Sequence, residues 1–258
     1  MFDERFSNYD LLDPDKTSAY IDTTNNFARL PEQSLPSAIT VLKDSPGFAV
    51  ATKNGIKLYE YDDSTDTMQL NNIFSCPLAT DATGVAIRRD NLNIWGISHD
   101  SVAYYKYNGS GMSNDPNLKV TGLNNIISVA GFQNRDSAIV LKQTVDKKAE
   151  IYRYDAGSTL TVSAEITTDI TDPVAVSMVN DSPDFRLFTK NAVYYFAYDD
   201  AAGNYIEDPG RKISSLANVV SGSSDDTGNT ILTVNRLDYY MNLDGGGAAQ
   251  VNSFSPGA

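Results

Sequence analysis

The chain has 258 residues, of which 41% are hydrophobic, 10% aromatic and 21% charged, so it carries enough apolar material for a core and is neither a disordered nor a fibrous polymer. It holds 20 Lys and Arg against 33 Asp and Glu, a formal net charge of -13, and a field of that sign repels phosphate backbones and anionic membrane surfaces. Nucleic acid is thereby excluded as an expected partner. Cys76 and His99 are the sole members of their residue types, which removes intrachain disulfides, zinc fingers and Cys/His clusters.

The acids divide into 27 Asp and only 6 Glu, with 22 Asn beside them. Asp and Asn favour turns, Glu favours helix interiors, and 15 Tyr among many Val, Ile and Thr favour strands. An all-β chain of short strands and tight loops follows. The segment Met1-Phe2-Asp3-Glu4-Arg5 lacks a basic region followed by an apolar one, and no stretch reaches the roughly 18 apolar residues of a membrane span. The expectation is a chain made in the cytoplasm without a signal peptide and without membrane insertion.

Residues 1–33 read as an N-terminal arm, irregular around Asp10, Asp13, Pro14 and Asp15, with a candidate ring-closing strand at 25–30. From residue 34 to 258 a single repetitive domain is expected. Its first unit predicts strands at 38–42, 48–52 and 56–61 and a weaker edge at 67–70. Later units begin with short strands at 84–88, 126–132, 174–179 and 217–221, rich in small residues.

The second and third strands recur as an apolar run, a polar turn and an aromatic run ending on Tyr61, Tyr107, Tyr154, Tyr198 and Leu243. These anchors are separated by 46, 47, 44 and 45 residues. Four antiparallel strands repeated at that period, each unit too thin to bury its own faces, resemble the blades of a β-propeller. The resemblance covers about residues 34–254, implies five blades of four strands with a sixth left open by the unassigned arm, and matches no specific family. The Gly-His…Trp-Asp signature of WD40 repeats is absent, and the single Trp95 does not fit tectonin-like lectins. Ser224-Asp-Asp-Thr-Gly-Asn-Thr-Ile231 is similar to the Asp-box of sialidase-like propellers, but it occurs once, ends in Ile231 and precedes the second strand of its blade.

The chemical inventory is sparse. A nucleophile–His–acid triad would have to use His99, which sits in a turn equivalent to 52–55 and 189–192. Cys76 has no basic neighbour in Phe74-Ser-Cys-Pro-Leu78 and reads as a buried thiol. Carboxylate pairs at 62–63, 199–200 and 225–226 keep a glycosidase or lyase as a third reading, with Asp199 and Asp226 as its residues to test. Calcium is the one metal whose oxygen ligands are available, at Asp62, Asp63, Asp66, Asp225 and Asp226, although the order of an EF-hand is missing. The doublets Tyr104-Tyr105, Tyr194-Tyr195 and Tyr239-Tyr240 place one ring toward each neighbouring blade, and so read mainly as packing.

Catalytic residues are therefore not expected. The reading is a non-enzymatic binding or assembly module with protein partners, most simply a tail, collar or fibre component displayed on an extracellular particle such as a bacteriophage virion. The alternative is a stand-alone lectin-like propeller that binds surface glycans between blades.

Overall fold

A computed structural model describes residues 36–41, 47–62, 64–65, 67–76, 79, 81–88, 91–179, 182–224, 228–234, 236–242 and 248–254. The predicted strand at 25–30 and the anchor at Leu243 lie outside these residues. Blade one comprises β1 (Pro36–Val41), β2 (Gly47–Thr52), β3 (Gly55–Asp62) and β4 (Thr67–Cys76). Blade two has β5 (Gly84–Ile87), β6 (Ile94–Ile97), β7 (Val102–Tyr107) and a broken outer strand, β8 (Met112–Ser113) and β9 (Lys119–Val120). Blade three is β10 (Ile126–Gly131), β11 (Ser137–Gln143), β12 (Lys148–Ala156) and β13 (Leu160–Thr171). Blade four is β14 (Pro173–Met178), β15 (Phe185–Thr189), β16 (Val193–Asp199) and β17 (Asn204–Glu207). Blade five is β18 (Val219–Ser224), β19 (Gly228–Thr233), β20 (Leu237–Asn242) and β21 (Ala248–Phe254).

All five sheets are antiparallel and follow chain order, giving the all-β, five-bladed propeller that the repeat predicts. The weaker edge expected at 67–70 is instead a long strand, and blade three carries a longer one. The outer strand β4 runs for 10 residues and β13 for 12. In β13 the run Leu-Thr-Val-Ser-Ala-Glu-Ile-Thr-Thr-Asp-Ile-Thr has β-branched residues and no Gly or Pro to break it. Blade two interrupts its outer strand with a 3-10 turn at Pro116–Leu118, capped by Asp115.

A side-chain device recurs at the turn between the second and third strands. Thr52 Oγ donates to the Gly55 carbonyl at 2.8 Å, Thr189 to Ala192 at 3.1 Å and Thr233 to Arg236 at 3.1 Å. In blade three the Lys148 N–H donates to Thr144 Oγ at 3.0 Å, and in blade two the hydroxyls of Ser98 and Ser101 meet at 2.7 Å. These five hydroxyls are spaced by 46, 46, 45 and 44 residues and fix each hairpin with a local bond.

A second device links the blades. Asp81, Asn125, Asp172 and Asn218 precede the innermost strands with φ between 53 and 56°, a left-handed turn that Asp and Asn tolerate best among side-chain-bearing residues. At each linker a backbone N–H reaches the hairpin of the preceding blade: Asp81 to the Lys53 carbonyl, Ile126 to His99, Asp172 to Lys147 and Val219 to Lys190, at 2.8 to 3.3 Å. The chain is thus pinned to the previous blade as it enters the next.

The core lies between blades. Ala51, Ile97 and Phe188, one residue before their staples, and Leu141, three before Thr144, point to the following blade and are at most 2% exposed. On the opposite faces Val140, Leu187 and Ile231 join the cluster of the preceding blade, and burying such a side chain contributes about 1.5–3 kcal/mol. Tyr105, Tyr154, Phe196 and Tyr240 also pack toward the preceding blade. Tyr154 therefore matches Tyr105 rather than Tyr107, because Tyr154 pairs with Ala138 near the start of the second strand as Tyr105 pairs with Ile94. The predicted anchor series is out of step by two residues in blade three. Where the doublet Tyr104-Tyr105 is concerned the expectation holds: Tyr104 packs with blade three and Tyr105 with blade one.

Candidate functional site

Among the described residues, the sequence-predicted candidates Asp62, Cys76, His99 and Asp199 sit on different elements. Asp62 ends β3, and its Oδ1 accepts from the Ser64 N–H at 2.9 Å and the Ser64 hydroxyl at 2.6 Å. Those bonds from Ser64 hold its carboxyl below the ordinary range and describe a self-capped turn. Asp63, Asp66, Asp225 and Asp226 lie outside the described residues. Asp199 likewise caps its own turn, accepting from the N–H groups of Ala201 and Ala202 at 2.9 and 3.2 Å. His99 is exposed in its hairpin, and its carbonyl serves the linker into blade three. Cys76 is fully buried in the cluster between blades one and two.

Four other carboxylates occupy inter-strand positions that the sequence did not single out. Asp136 accepts from the Tyr104 hydroxyl and the Arg88 guanidinium, tying blade three to blade two. Asp184 accepts from the Tyr195 hydroxyl and from the Tyr198 N–H at 2.9 Å. Asn93 stands in the equivalent place in blade two, donating to the Tyr104 hydroxyl at 2.8 Å and accepting from the Tyr107 N–H at 3.1 Å. The shared signal is an Asx residue immediately before an apolar second strand, followed 11 residues later by a tyrosine. Asp238 is fully buried, held by Arg236 Nε at 2.8 Å and Gln250 Nε2 at 2.9 Å. At Asp155 burial opposes ionisation, but hydrogen bonds from Ser137 and Ser163, with Arg153 beside it at 3.2 Å, keep the carboxyl below its usual value.

Tyr195 sits between two guanidiniums, with Arg186 Cζ 4.9 Å and Arg211 Cζ 4.6 Å from its ring centroid. Burial lowers the Arg186 pKa to about 10, and the nearby Arg211 charge pushes the same way. The cluster braces the outer half of blade four.

A solvent-open polar groove of about 550 Å³ runs between the outer parts of blades three and four. Strand β13 supplies Thr167 and Asp169; Asn191, Tyr194, Glu207 and Lys212 come from blade four and the segment after it. Lys212 Nζ lies 4.2 Å from the Tyr194 ring centroid, and Lys148 pairs with Asp169 at 2.6 Å on the rim. A ring, an amide, hydroxyls and charges of both signs around an open trough can take a polar, polyhydroxylated ligand by hydrogen bonding. Tyr194 belongs to a predicted doublet, but the groove depends on the unexpected length of β13.

No family model matches the chain, and no curated protein matches it in sequence. Solved structures do share its fold. A functionally unknown protein from Desulfotomaculum acetoxidans has 14% identity and a TM-score of 0.62, covering 84% of this chain and 71% of that one. A structure of the nidogen/laminin complex gives 11% identity and a TM-score of 0.61, with 86% and 81% covered. A candidate 6-phosphogluconolactonase from Bacteroides uniformis gives 14% and 0.56, with 86% and 72% covered. Likeness at these identities is one of β-propeller architecture alone.

Proposed function

We propose that the chain is a non-enzymatic binding or assembly module that serves as a structural or attachment component of a particle such as a bacteriophage tail, collar or fibre. The observation that supports this most directly is the use made of its inter-strand acids. Asp136, Asp155, Asp184 and Asp238 are held across strands or blades by tyrosine, serine, arginine or glutamine partners. A glycosidic general acid instead needs a second carboxylate facing it across the bound sugar. The ring then acts as a rigid scaffold, with protein partners taken at its outer edge, and it is displayed outside the cell as part of the assembled particle. The likeness to a candidate 6-phosphogluconolactonase brings no residue of a site with it.

The polar groove between blades three and four favours a second reading, a lectin-like propeller that takes a surface glycan there. Density-gradient fractionation of lysate from the native producer separates the two. The expected result is that the chain travels with virus-sized particles. If it stays with free protein, the particle reading is lost, and a glycan array comparing the native chain with Tyr194→Ala becomes the test of the groove.

This reading needs no cofactor. Calcium at Asp62 and its neighbours is tested by thermal unfolding in chelator and in calcium up to millimolar. Because Ser64 already occupies Asp62 Oδ1, the midpoint is expected to stay flat, and a calcium-dependent rise would establish a bound ion.

A further inference from the structure

Four of the five blades bury the residue that faces the next blade, and the fifth does not. Leu232 of β19 holds the position in the second strand that Ala51, Ile97, Leu141 and Phe188 hold in theirs, set by pairing with the innermost strand. It pairs with Ser221 across the same bulge that sets Leu141 against Ser128 and Phe188 against Ala175. Those four equivalents are at most 2% exposed, whereas Leu232 is 43% exposed. Met241, on the same face through its pairing with Gly228, is also exposed. Innermost strands pack β1 on β5, β5 on β10, β10 on β14 and β14 on β18. Among the described residues, β18 and β1 make no comparable contact.

The opposite wall of that seam is covered. Val50 and Tyr59 of blade one occupy the positions that Val140 with Tyr154, Leu187 with Phe196, and Ile231 with Tyr240 use to pack on the preceding blade. Neither Val50 nor Tyr59 belongs to the cluster shared with blade two, yet they are only 3% and 2% exposed. The linker pattern points the same way. Lys53, His99, Lys147 and Lys190 each accept an N–H from the chain entering the following blade, and Val234 is the next residue in that series.

We infer that the N-terminal segment of this same chain, residues 1–35, seals the seam between blades five and one, covering Leu232 and Met241 on one wall and Val50 and Tyr59 on the other. The segment leads directly into Pro36, the first residue of β1, and so is tethered beside the seam. Phe27 and Leu30 precede Pro36 by nine and six residues, and an extended chain of that length spans about 20–30 Å, a wide enough reach to cross to β19. The inference stands apart from the particle or glycan reading.

Thiol labelling tests it cleanly, because the native Cys76 is fully buried. In the full chain, the thiol of Leu232→Cys is expected to react with a maleimide at least about tenfold more slowly than that of Val145→Cys, which lies in an exposed hairpin of blade three. Deleting residues 1–33 should bring the two rates together. Where the deletion does not fold, the full-length chain carrying Phe27→Asp and Leu30→Asp makes the same comparison. Equal rates in the unmodified full chain overturn the inference. So does protection that survives both changes to the segment, or that appears only as protein concentration rises, which assigns the face to a second copy.

Discussion

Phe188→Ala is expected to destabilise the protein by about 3–5 kcal/mol, the range for emptying an aromatic site in a close-packed core. Phe188 is fully buried at the end of β15 and crosses to blade five, where it joins Val219 and Ile231. Its ring also defines the space at Gly222. A Cβ added there would stand 2.1 Å from Phe188 Cδ1 and 2.2 Å from Cε1, closer than real Cβ contacts come. Gly222→Ala alone should therefore cost about 1–3 kcal/mol through overpacking, since the ring is hemmed in by its own cluster and cannot simply swing away. In the double variant the new methyl enters the space the ring has left. The two losses should add to less than their sum by about 0.5–3 kcal/mol, read from urea unfolding of the four proteins. Strict additivity would show that Phe188 and Gly222 do not meet and that blades four and five pack differently. Val145→Ala, on an exposed hairpin, should stay within about 0.5 kcal/mol and serves as the control.

That inter-blade contact shows which parts of the fold are legible in the residues and which are not. The period is legible because each blade repeats the same burial problem, so an apolar second strand and an aromatic third strand return every 44 to 47 residues. The more regular marker is less conspicuous: Thr52, Ser98, Thr144, Thr189 and Thr233, whose hydroxyls secure five hairpins. Small hydroxyl residues are too common to catch the eye, whereas tyrosines stand out, and the conspicuous series slips in blade three. There the turn from Thr144 to Lys148 is longer than its equivalents, so Tyr154 falls opposite Ala138 and packs inward. The Asx residues of the linkers, Asp81, Asn125, Asp172 and Asn218, look like ordinary turn formers until their left-handed φ is seen.

The site is less legible for a physical reason. Acids such as Asp62 and Asp199 attract notice because they stand in runs of acids, yet runs of that kind belong to turn tips where backbone N–H groups and water satisfy them. Asp136, Asp184 and Asp238 stand singly in the sequence and become informative only through cross-strand register, which places each against a tyrosine, arginine or glutamine. The groove between blades three and four depends on β13 running the full length of β12. Strand length is set by pairing to β12 out to Thr171, which no local propensity fixes.

The buried tyrosines lead to the second large effect: stability should hold up to about pH 10 and then fall steeply toward pH 12, as tyrosine ionisation becomes unequal in the folded and unfolded chains. Burial pushes the hydroxyls of Tyr105 and Tyr195 up to about 12, with the Asp184 carboxylate adding to the shift at Tyr195. Tyr104, Tyr152 and Tyr205 move in the same direction, again chiefly through burial. A folded-state pKa above the unfolded one means that the native chain holds its proton while the unfolded chain has lost it. The stabilisation is therefore complete below about pH 10 and disappears as pH rises through the folded value, each such tyrosine removing up to about 1.4 kcal/mol per pH unit. Urea midpoints measured from pH 8 to 12, beside tyrosinate absorbance of the native protein, check both halves of the claim. Tyr105→Phe keeps the ring and removes the titrating hydroxyl, so its stability curve should be shallower by close to one proton above about pH 10. An unchanged slope, or tyrosinate absorbance rising at the ordinary tyrosine pKa while the fold persists, would show that these rings are not sealed between blades.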